Sequence, residues 1–120
     1  MDYLYKWERD NVGDLEFKHA VETTLKVIGG KWKLVILCHL LDGVKRFSEL
    51  KRSMPNITQK MLTQQLRELE QDGLVHRQVY CQVPPKVEYS LTEYGKSIKE
   101  VLDVLNGWGR RHRVRMKLQK

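Results

Sequence analysis

Residues 57–79 read Ile57-Thr-Gln-Lys-Met-Leu-Thr-Gln-Gln-Leu-Arg-Glu-Leu-Glu-Gln-Asp-Gly73-Leu-Val-His-Arg-Gln-Val79. Thr58 is placed to cap a helix, because a threonine oxygen accepts one of the orphan N–H groups of a first turn. Leu62, Leu66 and Leu69 then recur at helical spacing and predict a buried stripe, with Met61 packing beside it. Gly73 stops the helix, and the residues after it alternate as a strand does. The opposite helix face carries Gln59, Lys60, Thr63, Gln64 and Arg67. Side chains of these kinds hydrogen-bond to base edges and to phosphates. A polar helix on a small core, followed by a basic hairpin, is the pattern of a winged helix-turn-helix.

Upstream, Phe47-Ser-Glu-Leu-Lys-Arg-Ser-Met-Pro55 predicts a short helix, with Phe47, Leu50 and Met54 on one face. Pro55 and Asn56 force a turn. Helix, turn and helix over 47–72 match the DNA-reading supersecondary unit. Residues 31–41 are apolar on nearly every side, which predicts the central helix of a small domain and a buried Cys38. Asp42-Gly43 ends that helix. Residues 19–28 predict a first helix with Val21, Leu25 and Ile28 on one face, closed by Gly29-Gly30. Residues 1–18 form an arm whose apolar Tyr3, Leu4, Tyr5 and Trp7 suit packing on a partner subunit, with a turn at Asn11–Asp14; the alternative is a mobile arm.

Downstream, Val75–Cys81 and Val87–Leu91 predict two strands joined by a loop over 82–86, since Pro84 and Pro85 cannot sit inside a ladder. In this wing, Arg77 and Lys86 are candidate phosphate contacts; the alternative is that they only keep the hairpin soluble. Thr92 opens a last helix, with Glu93 in a first turn where negative charge suits the dipole. Tyr94, Ile98, Val101, Leu105 and Trp108 follow in a heptad-like seam that Leu102 and Val104 widen. The surplus apolar surface predicts a second subunit; the alternative is packing within one chain.

The 120 residues predict one domain: an arm over 1–18, a winged helix domain over 19–109, and a basic tail over 110–120. Hydrophobic residues at 41% and charged residues at 31% place the chain among ordinary soluble globular proteins. No apolar run reaches the roughly 18 residues of a membrane span. The first 20 residues hold five acidic and three basic side chains without an apolar core, so they do not read as a signal peptide, and the cytoplasm is the expected compartment. The net charge of +7 is uneven, with +6 within residues 107–120, and favours a polyanionic partner. Two cysteines make no disulfide framework, and the four histidines show no zinc spacing, so neither metal nor cofactor is expected.

The blocks Gly29-Gly-Lys-Trp-Lys-Leu-Val-Ile-Leu, Arg46-Phe-Ser-Glu-Leu, the 57–75 stretch and Val83-Pro-Pro-Lys-Val-Glu-Tyr-Ser-Leu-Thr-Glu-Tyr-Gly strongly resemble the HxlR-type family. These are bacterial winged helix-turn-helix transcriptional regulators with an architecture like that of MarR-type proteins. The resemblance spans about His19 to Gly109, in four long ordered blocks. It implies a mainly α fold with a small β-hairpin, dimerised through the first and last helices. That would put Val21, Leu25, Tyr94, Ile98, Val101, Leu102, Leu105 and Trp108 at the dimer interface. It further implies a recognition helix at Thr58–Gln71, a wing tip at Pro84-Pro85-Lys86, and a palindromic or pseudo-palindromic operator. Some family members respond to electrophiles or oxidants through a cysteine, usually in a Cys-Pro pair just before the first-helix valine. Here His19-Ala20 stands at that place, and Cys81 stands where the family usually has proline, so Cys81 is only a possible redox residue.

Three classes of function compete. The first is a sequence-specific regulator of double-stranded DNA, repressing its own or a neighbouring gene, with an unidentified small-molecule effector still possible. The DNA-binding candidates are Thr58, Gln59, Lys60, Thr63, Gln64, Arg67, Arg77 and Lys86. The second is an architectural or protein-interaction winged helix with little sequence preference. The third, an enzyme, finds no nucleophile with a base, no phosphate-cradling glycine loop and no paired acids in the chain.

Overall fold

The computed structural model describes residues 13–118. The described residues divide into two compact units, one ending at Gly30 and one beginning at Lys31. In the first, α1 runs over Gly13–Ile28. It begins six residues before the predicted His19, so Gly13 and Asp14 are helical rather than part of a turn. Glu16 lies in its first turn, where an acidic side chain suits the helix dipole. Thr23 and Thr24 donate their hydroxyl protons to the carbonyls of His19 and Ala20, each at 2.9 Å, which accommodates two β-branched polar residues within the helix. The aromatic arm, Asn11 and Val12 lie outside the described residues.

In the second unit, α2 (Lys33–Leu41), β1 (Lys45–Arg46), α3 (Phe47–Ser53), α4 (Gln59–Gln71), β2 (Val75–Tyr80), β3 (Lys86–Leu91), a 3-10 turn (Gly95–Ser97) and α5 (Ile98–Leu118) follow in order. The strands form one antiparallel sheet in the order β1-β3-β2. β1 was not foreseen: two residues, Lys45 and Arg46, pair with Tyr89 and Glu88 and carry no pattern of their own.

The core gathers Ile36, Leu37 and Leu40 of α2, Leu50 of α3, Leu62, Leu66 and Leu69 of α4, Tyr89 of β3, and Ile98 and Leu102 of α5, all buried. Burying a leucine stripe of this kind contributes roughly 1.5–3 kcal/mol per side chain, which is what holds so short a set of helices together. Thr92 joins three elements. Its N–H donates to the Leu74 carbonyl at 3.0 Å, its hydroxyl donates to the Gly73 carbonyl at 2.6 Å, and the same oxygen accepts from the Gly95 N–H at 2.8 Å. Gly95 packs against the Leu74 carbonyl so closely that no Cβ fits there. A 3-10 turn precedes the last helix, which starts at Ile98 rather than at Thr92.

One charged pair links the core to α4. The buried Lys33 ammonium lies 2.7 Å from Glu68 Oε1. The Lys33 hydrogen bond, then the Gln64 amide, hold the Glu68 carboxyl below its ordinary value of 4.5. A carboxylate depressed in this way stabilises the fold above its unfolded pKa, and that contribution is lost as pH falls through the folded value. Glu68→Gln should therefore melt lower than wild type at pH 7, with the gap closing below about pH 4.5. Thermal unfolding followed by circular dichroism across pH 3–7 measures this; a gap that is the same at every pH would contradict the pairing.

Candidate nucleic-acid interface

α4 begins as the sequence indicates. The Thr58 oxygen accepts from the Met61 N–H at 3.0 Å, and Thr58 has extended backbone at φ −76°, ψ 155°. That cap occupies the Thr58 oxygen, so this residue serves the start of the helix before it serves a ligand. Gly73, at φ 80°, takes up the left-handed conformation that ends the helix and sends the chain into β2.

Between these ends, Gln59, Lys60, Thr63, Gln64 and Arg67 line one shallow depression along the outer face of α4. The structure thus brings together the five side chains singled out from helical spacing. Thr63 donates its hydroxyl proton to the Gln59 carbonyl at 2.9 Å, which fixes its rotamer and leaves its oxygen lone pairs outward. Gln64 lies beside Glu68, the carboxylate that pairs with the buried Lys33. Among the described residues, neither Lys60 nor Arg67 forms an ion pair within the chain.

A second depression lies between α4 and the hairpin, lined by Thr63, Arg67, Glu70, Arg77 and Tyr89. Arg77 sits opposite Tyr89 in register, and opposite residues share a sheet face. Tyr89 is buried, so Arg77 projects from the side of the wing that faces α4. Lys86 pairs opposite Tyr80, on the other face. Its ammonium lies 4.4 Å from the centroid of the Tyr80 ring and 3.7 Å from Glu88 Oε2. The Tyr80 hydroxyl in turn hydrogen-bonds Glu88, and that bond raises the phenol above its ordinary pKa. Lys86, expected as a free cation at the wing tip, is thus engaged within the hairpin.

Sequence reasoning overlooked the α3 edge. Arg46, Phe47 and Ser48 line a depression with Gln82, Pro84, Pro85, Lys86 and Val87 of the wing. Phe47, Ser48, Lys51 and Arg52 line another with Pro55 and Gln59, the first residue of α4. The depressions thus run from the wing tip, along α3, onto α4, and extend the candidate interface. The available signal was the basic content of 45–52, which holds Lys45, Arg46, Lys51 and Arg52.

The expected dimer residues divide in two. Ile98 and Leu102 are each 8% exposed and already lie in the core of their own chain, so the seam read from spacing is not all available to a partner. Val101 is half-buried. Val21, Leu25, Tyr94, Leu105 and Trp108 are exposed. Trp108 stacks on His112 with ring centroids 5.1 Å apart and planes 8° from parallel.

Cys38 corrects an expectation: it is exposed, not buried. α2 buries Lys33, Ile36, Leu37 and Leu40, and Cys38 falls on the other side with Val35, which is also exposed. Partial desolvation, then the nearby Asp42, push its thiol above the ordinary 9.0. The thiolate is the reactive form. Alkylation of Cys38 by iodoacetamide should therefore keep accelerating as pH rises through 9, as read by peptide mass spectrometry; a plateau below pH 9 would contradict this. Cys81 is also exposed. Among the described residues, no three His, Cys, Asp or Glu side chains converge on a metal position, and no helix is long and apolar enough to cross a membrane.

Comparison with known proteins agrees with this geometry. The family described as HxlR-like helix-turn-helix matches residues 27–117. The HTH-type transcriptional regulator YtcD of Bacillus subtilis is 68% identical over 97 residues, covering 81% of this chain and 77% of YtcD. A crystal structure of a YtcD regulator superposes with a TM-score of 0.75 at 71% identity, covering 77% of this chain and 94% of that one. The redox regulator HypR in its oxidised form superposes with a TM-score of 0.73 at 59% identity, covering 77% and 95%. The helix-turn-helix of α3 and α4, the hairpin wing and these matches have one meaning: the chain belongs to the HxlR-like helix-turn-helix family of transcriptional regulators.

Proposed function

We propose that the protein is a homodimeric, sequence-specific repressor that binds a palindromic or pseudo-palindromic operator in its own or a neighbouring promoter. The observation that carries this reading is the single depression formed by Gln59, Lys60, Thr63, Gln64 and Arg67 on α4. It combines amides, which make bidentate contacts to adenine, with cations suited to guanine or phosphate. In this reading Gln59, Thr63 and Gln64 read base edges, Lys60 and Arg67 divide between bases and backbone, and Arg77 adds a contact from the wing. Two copies related by a two-fold axis would set two α4 helices in successive major grooves, roughly 34–36 Å apart. Exposed Leu105 and Trp108 supply apolar surface for the partner.

HypR is a redox regulator. For this chain we infer no thiol switch at His19, where a redox-responsive relative would carry its cysteine, and leave Cys81 as the exposed candidate if oxidants act at all. A small-molecule effector is the alternative input.

Selection from randomised duplexes tests the central reading. The expected product is an inverted repeat bound at least about 10³-fold more tightly than random DNA. Uniform binding to all duplexes would instead favour an architectural role.

A further inference from the structure

The wing and β1 together hold a cluster of three charges that the reading of α4 leaves unused. Arg46 of β1 and Glu88 of β3 are register partners, and Lys86 stands two residues before Glu88, so all three project from one sheet face. Lys86 is satisfied twice, by the Tyr80 ring at 4.4 Å and by Glu88 at 3.7 Å, and both Lys86 and Glu88 side chains are only 24% exposed. The carboxylate is also committed to the Tyr80 hydroxyl. A phosphate approaching Lys86 would meet the Glu88 charge beside it, so this pair offers little net attraction. Arg46 differs. It is exposed, its guanidinium forms no ion pair among the described residues, and its backbone N–H donates to Glu49 Oε1 at 2.8 Å. It also borders the depression that Pro84, Pro85 and Lys86 complete.

We propose that Arg46, not Lys86, is the cation beside the wing tip that meets the DNA backbone, and that Lys86 is a positioning residue holding the wing tip through Tyr80 and Glu88. The three charges leave a net +1 on this face, and the cation without a partner carries it. A guanidinium also suits phosphate better than an ammonium does, because its planar fork donates two parallel bonds. The clamp fixes the two ends of the hairpin loop, since Tyr80 closes β2 and Lys86 opens β3. The loop between them then borders Arg46 in a set position.

This assignment rests on the DNA-binding reading above, and salt dependence separates the two. Each phosphate neutralised changes the slope of log K against log salt by about 0.9. With the selected operator, Arg46→Gln should lower the slope by about 0.9 and weaken all duplexes alike, while Arg46→Lys should retain the slope. Lys86→Gln should leave the slope at the wild-type value. Any affinity it loses should be matched by Tyr80→Leu, and the double variant should be no worse than either single one, because both break the same clamp. A drop of about 0.9 with Lys86→Gln and none with Arg46→Gln would overturn the assignment and leave the functional reading standing. Additive losses for Tyr80→Leu and Lys86→Gln would overturn the positioning role. A wild-type protein that prefers no duplex would overturn the functional reading itself, and this assignment with it.

Discussion

Replacing Leu105 and Trp108 together by aspartate is expected to give a monomer and to weaken operator binding by about 10²–10⁴-fold. The size follows from linkage. In a dimer, docking one α4 makes docking of the second intramolecular, and its effective concentration multiplies affinity without any new contact. Leu105 and Trp108 are 45% and 61% exposed, so charges there do not damage the core of the chain that carries them. They damage only an interface that would bury them, because an unpaired carboxylate removed from water is costly. Leu102→Asp would be a poor test, since Leu102 is buried and its loss would unfold the domain. Light scattering at micromolar concentration should report twice the 14.3 kDa chain mass for wild type and the chain mass for the variant, with an unchanged circular dichroism spectrum. A wild-type monomer over that range would refute the dimer.

The same helix marks where sequence reading stops. Apolar residues spaced by three and four look alike whether they face their own core or a partner, so Ile98 and Leu102 could not be told from Leu105 and Trp108. Periodicity reports which residues share a face, not what covers it. Cys38 failed for a related reason. In the run Leu34–Leu41 the one polar residue, His39, is too little to mark the outer side, and only packing against β3, α4 and α5 decides which stripe is left exposed.

Where local chemistry is decisive, the sequence was legible. The Thr58 cap and Gly73 stop bound α4 at the observed residues because each acts through its own backbone neighbours. The prolines at 84 and 85 mark the wing tip for the same reason. β1 is the opposite case. Lys45 and Arg46 are a strand only because Tyr89 and Glu88 lie alongside, over 40 positions later in the chain. The clamp on Lys86 was equally hidden: a lysine two residues before a glutamate reads as two solvated charges until the Tyr80 ring is placed across the hairpin.

Gln64→Ala is expected to lower preference for the selected operator by about 1–3 kcal/mol, or roughly 5- to 150-fold, with little change in binding to random DNA. The substitution should not weaken the helix. Gln64 is exposed on α4, and alanine has the higher helix propensity. Its effect on binding therefore reads out base recognition rather than folding. The salt slope should stay at the wild-type value, because an amide displaces no counterion, whereas Lys60→Ala should lower it by about 0.9 and weaken every duplex alike. Gln64 neighbours Glu68, which Lys33 holds from the core. Glu68→Gln should consequently reproduce part of the specificity loss at neutral pH without touching DNA, and the Gln64→Ala, Glu68→Gln double variant should fall short of the summed losses. Operator binding by Gln64→Ala that equals wild type, with the random-duplex affinity also unchanged, would show that another face of α4 enters the groove.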